Sequence, residues 1–307
     1  MCGRTGLSLH RDQVCCACSY KEKKLNRFIK PDYLNEYNDG KDYTPSYNIA
    51  PTDITPILIS ASKFKNAAQT SRIIKPMMWG IIPPWHKGDY KKHNLSTNNC
   101  RIENIKSSKL YNPIFRDGGR CIILVEGFYE WQTSEKTKNK QPYYIYMKQP
   151  PNLKVTDQTT WSNKFNENEG WTGIKLMHIA GLYHVWRDEN VVIYSYSVIT
   201  MESNETFSWL HHRMPAILNN EVEINAWLDI DNVNADMALE YLKSMHILEW
   251  HPVSTMVNNS KNKSADCNKI INIEKVKSSQ KTLTSWFTTN KRKISEYEEK
   301  ESKKVKL

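Results

Sequence analysis

Four short stretches of this chain put reactive side chains where chemistry could use them. The first is Met1-Cys2-Gly3-Arg4. Removal of Met1 would leave Cys2 with a free α-amine and a thiol on adjacent carbons. Their ordinary pKa values, about 7.7–8.0 and about 8.5, put both close to reactive at neutral pH. Such a pair captures aldehydes: the amine forms an imine, and the thiolate then closes a five-membered thiazolidine. The second stretch is Asn98-Asn99-Cys100-Arg101, in a polar loop. The third is Phe128-Tyr129-Glu130-Trp131, a carboxylate among three aromatics, where apolar surroundings should raise the carboxyl pKa. The fourth is His211-His212-Arg213-Met214-Pro215, two imidazoles beside a guanidinium. An imidazole titrates near neutral pH and suits proton transfer.

The elements that must hold these stretches are readable from pattern. Residues 11–40 mix basic and apolar positions and predict one or two helices. Strands are expected at Thr55–Ile59, Ile73–Trp79, Pro142–Met147, Leu176–Trp186, Val191–Thr200 and Ile247–Val257. Cys121–Trp131 reads as one buried, β-branched and aromatic strand with a bulge at Gly127. Gln149–Trp171 reads as a long excursion, and helices are expected near Val222–Leu228 and Ala235–Ser244. Strands in clusters, with helices at the start and late in the chain, predict an α+β fold. Its core should be a strongly curved, barrel-like, mainly antiparallel sheet flanked by helices.

Composition sets the limits. The 307 residues include 10 Trp and 16 Tyr, and 39% are hydrophobic, which fits a folded protein. No apolar run reaches the length of a membrane span, and no signal-peptide core is evident, so a soluble intracellular protein is expected. Seven irregularly spaced cysteines argue against a disulfide framework. Cys15-Cys16-Ala17-Cys18 lacks the second pair a zinc site needs, so no metal and no cofactor is expected. From residue 271 the chain is rich in Lys, Ser, Thr and Glu. There ten Lys and Arg against five Glu give a net +5, half of the chain's +10. A domain over residues 1–270 and a disordered basic tail over 271–307 are expected, and any nucleic-acid site on the domain must be a local groove.

Seven stretches in order resemble one known family. They are Met-Cys-Gly-Arg, Tyr47-Asn48-Ile49-Ala50-Pro51, Trp79-Gly80-Ile81-Ile82-Pro83-Pro84-Trp85, Asn-Cys-Arg, Glu126-Gly127-Phe128-Tyr129-Glu130-Trp131, His-His-Arg-Met-Pro and Trp250-His251-Pro252-Val253-Ser254. The chain closely resembles the SRAP family from Met1 to about residue 270. The resemblance implies a sensor that crosslinks itself to abasic sites in single-stranded DNA and shields them from strand cleavage. It implies Cys2 as nucleophile, Glu130 rather than Glu126 as acid–base carboxylate, His211 rather than His212 as imidazole, and Asn99 on the sugar. In this scheme His211 protonates the sugar ring oxygen as the hemiacetal opens, and Glu130 shuttles protons at the amine and carbinolamine. Arg4, Arg101 and Arg213 are the expected phosphate partners, with Pro51, Trp85 and His86 at the DNA. The Trp79–Trp85 loop would be a wedge at a single-strand/duplex junction, and His86 stands where relatives carry Trp or Phe. The expected protein is a monomer. A thiol peptidase acting through Cys2, including on Met1 itself, and a non-covalent reader of modified cytosine or DNA junctions are the alternatives.

In the tail, Gln280, Leu283, Trp286 and Phe287 fit a Gln-x-x-aliphatic-x-x-aromatic-aromatic pattern. This resembles the motif by which replication proteins bind the sliding clamp PCNA, with one helical turn presenting the three apolar groups. Lys291–Lys293 and Lys303–Lys306 look like nuclear import signals, so the nucleus, at replication forks, is the expected location.

Overall fold

The computed structural model describes residues 3–22, 25–64, 70–132, 140–189 and 191–274. The chain divides between Lys269 and Ile270, and the fold below is that of the first unit. Cys2 and the tail residues Gln280, Leu283, Trp286 and Phe287 lie outside the described residues.

Five strands close into a barrel. In order around it they are Val191–Glu202, Met177–Asp188, Arg120–Val125, Ile54–Ser60 and Arg72–Trp79. Neighbours are antiparallel except at the seam, where Ser195 and Tyr196 pair in parallel with Met78 and Trp79. Trp79 stacks on Tyr196 at that seam (6.2 Å) and its indole N–H donates to the Asn98 carbonyl at 2.9 Å. These strands are apolar runs rather than alternating ones because both of their faces are covered. Every residue of Arg120–Val125 and of Arg72–Trp79 is buried.

A second sheet packs beside the barrel, in the order Leu248–Pro252, Pro142–Met147, Gly127–Trp131, Thr5–Leu7 and Ser46–Ile49, all antiparallel. The fold class is therefore the α+β, barrel-like antiparallel architecture expected, with short helices at Arg11–Ala17, Tyr111–Arg116, Glu221–Leu228 and Ala235–Glu240.

Residues 11–40 hold the helix Arg11–Ala17 and a 3-10 turn at Asn38–Gly40, within the one or two helices expected, and add a hairpin of Tyr20–Glu22 with Arg27–Ile29 and a short strand at Asp32–Tyr33. Two local expectations need correction. Cys121–Trp131 is not one strand. It breaks at Glu126, with Arg120–Val125 in the barrel and Gly127–Trp131 in the second sheet. Gly127 is not a bulge either, since its register with Tyr146 continues unbroken to Trp131–Pro142. The register shift lies instead between Thr5 and Leu7 against Ser46–Ile49. Gly127 is needed for space: a Cβ there would meet the Ile145 carbonyl oxygen at 2.5 Å and the Tyr144 ring at 2.5 Å.

Glu126, at the crossing point, is fully buried and accepts from Ser8 N (2.7 Å), Ser8 Oγ (2.8 Å) and Leu9 N (3.1 Å). Burial raises its carboxyl to about 7, although those donors favour the ionised form. The clamp fixes the N-terminal strand beside the Gly127–Trp131 strand.

Candidate active site

The N-terminal strand Thr5–Leu7 pairs antiparallel with the strand that carries Glu130. Thr5 is opposite Phe128 and Gly6 opposite Gly127, and Tyr129 N donates to the Arg4 carbonyl at 2.9 Å. Continued past Arg4, this antiparallel direction runs toward Glu130, the residue after Tyr129. Arg4 is half-buried, with Nη1 on the Gly3 carbonyl (3.1 Å) and Nη2 on the Asn258 carbonyl (3.3 Å). Burial lowers its pKa, and the charge of Asp53 works against that. Asp53 closes the turn holding Pro51 by accepting from Ala50 N at 2.9 Å, and pairs with Lys263 at 2.5 Å.

Glu130 is buried on the strand face it shares with Phe128, directly opposite Tyr143. Phe207 packs on Phe128 (6.0 Å) and Trp209 on Tyr143 (5.1 Å). The turn spanning residues 203–212 therefore lies over this face, and it carries His211. Burial raises the Glu130 carboxyl to about 7, the direction expected of a carboxylate among aromatics. The same cause lowers His211 to about 4, so its ring is neutral at pH 7 rather than titrating near neutrality. The backbone of Arg213 holds the ring at Nδ1, with its nitrogen at 2.9 Å and its carbonyl oxygen at 3.1 Å. The charge of Lys140 works to lower both Glu130 and His211. His212 is exposed and stacks on His211 at 4.4 Å.

The end of the Val191–Glu202 strand gathers the remaining polar residues. Asn99–Arg101 runs parallel to it, pairing with Val198–Thr200, and Arg213–Pro215 runs antiparallel on its other side. Thr200 is thus flanked by both segments. Asn99 is half-buried, and its carbonyl is reached by the Tyr111 hydroxyl at 3.3 Å. Arg101 is exposed. Arg213, expected as a phosphate partner, is instead buried and occupied. It forks onto Glu103 (2.8 and 3.0 Å) and donates to the Thr200 carbonyl at 2.8 Å. Partial burial works to raise Glu103, but the Arg213 hydrogen bonds prevail and hold its carboxyl below the usual range. The arrangement makes Arg213 the support of the segment that carries His211.

The Trp79–Trp85 segment is split in role. Trp79 is core, whereas Trp85 stands 57% exposed. His86 is turned back: its Nε2 lies 2.8 Å from the Asp89 carbonyl and its ring is against Trp186 and His93. Trp186 Nε1 donates to the His86 carbonyl at 3.0 Å and Gly88 N to Asp188 at 2.8 Å. His86 anchors the loop, and Trp85 is the side chain it presents.

Sequence reasoning missed Glu103 and Lys140. Glu103, the one acidic residue in an otherwise basic stretch two positions after Arg101, was the available signal for the first. Lys140 carries no motif. Among the described residues no group of three or more His, Cys, Asp and Glu could hold a metal ion. Burial raises Cys15, Cys18, Cys100 and Cys121 well above the ordinary thiol range, so they pack as inert thiols.

Residues 1–260 match the family described as SOS response associated peptidase (SRAP). The abasic site processing protein HMCES of Xenopus tropicalis is 36% identical over 320 residues, covering 99% of this chain and 90% of its own. HMCES of Rattus norvegicus is 37% identical over 270 residues, covering 87% and 75%. The fold is shared with a solved Bacteroides thetaiotaomicron protein, at TM-score 0.61 and 20% identity, over 88% of this chain and 100% of that one. A Bordetella bronchiseptica protein has TM-score 0.56 at 15% identity, over 82% and 100%. The chain belongs to the SRAP family.

Proposed function

We propose that this protein processes abasic sites in single-stranded DNA by becoming covalently joined to them through Cys2. The observation that carries the reading is the buried Glu130, raised to about 7, on the strand that pairs with the N-terminal strand at Thr5 and Gly6. A carboxyl with that pKa exchanges protons readily at neutral pH, as the amine chemistry proposed for Cys2 requires. The abasic processing relatives, similar over most of the chain, support the same substrate.

The steps balance without a cofactor. The abasic sugar rests mainly as a cyclic hemiacetal; His211, neutral at pH 7, offers a ring N–H to the ring oxygen as it opens, and Asn99 holds the sugar oxygen. The Cys2 amine adds to the C1 aldehyde, and Glu130 takes the amine proton. Glu130 gives that proton to the new alkoxide and then carries the second amine proton to the resulting hydroxyl, which leaves as water and gives the imine. The Cys2 thiolate adds to the imine carbon and the nitrogen takes a proton, closing the thiazolidine. With C1 no longer an aldehyde or imine, β-elimination of the 3′ phosphate is suppressed. Arg4 and Arg101 are the proposed phosphate partners, Trp85 the wedge at a duplex junction, and the 280–287 motif the link to a sliding clamp in the nucleus.

Intact mass of the purified protein, with and without an abasic oligonucleotide, tests this. The expected result is a species lacking Met1 and a heat-stable adduct one water lighter than the sum of its parts. Cys2→Ala should abolish that stable adduct, and an alanine variant giving the wild-type amount would refute Cys2 as the nucleophile. The family's peptidase description favours a second reading, in which Cys2 cleaves peptide bonds. Thiol hydrolysis needs no free α-amine, so an N-terminally blocked protein separates the two.

A further inference from the structure

Two tryptophans and a tyrosine stand together on the sheet face that carries Glu130. Tyr143 is directly opposite Glu130 across the hairpin. Trp250 is opposite Ile145, diagonal to Tyr143 on the adjoining edge strand. Trp209, from the turn that carries His211, meets Tyr143 edge-on at 5.1 Å and lies tilted to Trp250 at 5.5 Å. Trp209 is 37% exposed and Trp250 40%. Tryptophan is usually well covered, so two adjoining indoles this open mark a surface built for contact.

Both carriers are fixed in place. Asn204 Nδ2 donates to the Met245 carbonyl at 2.7 Å, tying the turn to the segment just before the Leu248–Pro252 strand. Phe207, in the same turn, is buried against Phe128. The rings are held ready before any ligand arrives, which lowers the ordering cost of binding.

We propose that Trp209, Trp250 and Tyr143 form a stacking subsite for a nucleobase of the single strand next to the abasic sugar. The inference rests on the proposed function for the identity of the strand. An abasic nucleotide offers no base to grip, so base-stacking affinity must come from its neighbours. Aromatic faces accept any base, as a lesion-directed protein requires. The platform lies one to two strand spacings from Glu130, about 5–10 Å, a distance a neighbouring nucleotide spans. Trp209 is also only two positions before His211. Exposed Lys140, two positions before the Pro142 that pairs with Trp131, is a cation for the intervening phosphate.

The test compares full-length wild type, Trp209→Ala, Trp250→Ala and Trp209→Phe, each checked for its melting temperature. One arm measures affinity for unmodified labelled oligo-dT by fluorescence anisotropy. The other measures adduct formation on an abasic oligonucleotide with normal neighbours, and on one whose flanking residues are base-free tetrahydrofuran. Each alanine variant should weaken oligo-dT binding roughly 5- to 150-fold, with Trp209→Phe in between. The concentration for half-maximal adduct rate should rise while the saturating rate holds, and base-free neighbours should erase the gap between wild type and variants. Equal oligo-dT affinity in the alanine variants overturns the proposal, as does a gap undiminished by base-free neighbours. Should an alanine variant fail to fold, wild type alone decides: it must need a higher concentration on the base-free oligonucleotide. A wild type that forms no adduct at all would defeat the abasic-site reading, while the oligo-dT arm would still judge the platform.

Discussion

Arg101 and Arg213 flank the same strand end, yet their surroundings assign them different work. Arg101 is exposed, whereas the Arg213 guanidinium is buried and forked onto Glu103. A side chain that neutralises a phosphate contributes to the salt dependence of binding; one that props up the site does not. Arg101→Gln should therefore reduce the slope of log affinity against log salt on single-stranded DNA by about 0.7. Arg213→Gln should leave the slope unchanged and slow adduct formation. Glu103→Ala should slow it as well and cost about 2 kcal/mol, between exposed and buried pair values because Glu103 is itself half-exposed. A slope that falls with Arg213→Gln would return that residue to the phosphates. The residue types at Asn99, Glu130 and His211 were legible because their chemistry is local. The tie of Arg213 to Glu103 was not, since 110 positions separate the partners. The depressed His211 pKa was hidden for the same reason, because burial is a property of the fold.

At the scale of elements, the stretch from Cys121 to Trp131 is the most instructive. Its apolar run made strand structure plain, but an uninterrupted run cannot say that the chain changes sheets within it. Glu126 was the visible irregularity, and its meaning lay in Ser8 and Leu9, more than a hundred residues away. Gly127 follows from that crossing, for the hairpin partner presses on it there. An alanine Cβ would strike a backbone oxygen and the ring of buried Tyr144, neither free to retreat. Gly127→Ala should destabilise the fold by about 3 kcal/mol, the upper end of overpacking costs, measured as a lowered urea midpoint. Because the same strand carries Glu130, adduct formation should fall further than the loss of folded protein explains. A variant as stable as wild type would mean that the two sheets part more easily than this packing implies. The early hairpin at residues 20–29 escaped notice for a simpler reason: basic residues dilute its apolar alternation below any recognisable period.

For the whole molecule, the curved sheet was legible from the clustering of strands, and the parallel seam that closes it was not, because Tyr196 and Trp79 meet only in three dimensions. The same closure buries charged groups, and their titrations sum to a pH dependence of stability. Glu126 has a folded pKa of about 7, above the ordinary glutamate value. A raised folded pKa gives stability that is complete below about pH 4.3 and is lost as pH rises through about 7. Desolvation lowers the partly buried His178 to about 4, so its contribution is present above about 6.5 and is lost as pH falls through 4. Asp236 is lowered to about 2 by hydrogen bonds from Arg116 and Lys106, and acts only in more acid solution. Between pH 7 and 4.5, then, Glu126 and His178 oppose each other and flatten the wild-type profile. Glu126→Gln removes one side of that balance. The unfolding free energy of wild type minus that of Glu126→Gln should grow as pH falls from 7 to 4.5, by at most about 3 kcal/mol, and level off below. Urea unfolding of both proteins at half-unit pH steps measures the difference directly. A constant difference, or one that shrinks toward acid, would show that the Ser8 and Leu9 donors hold Glu126 ionised in the folded state and that the clamp on the N-terminal strand is a charged one.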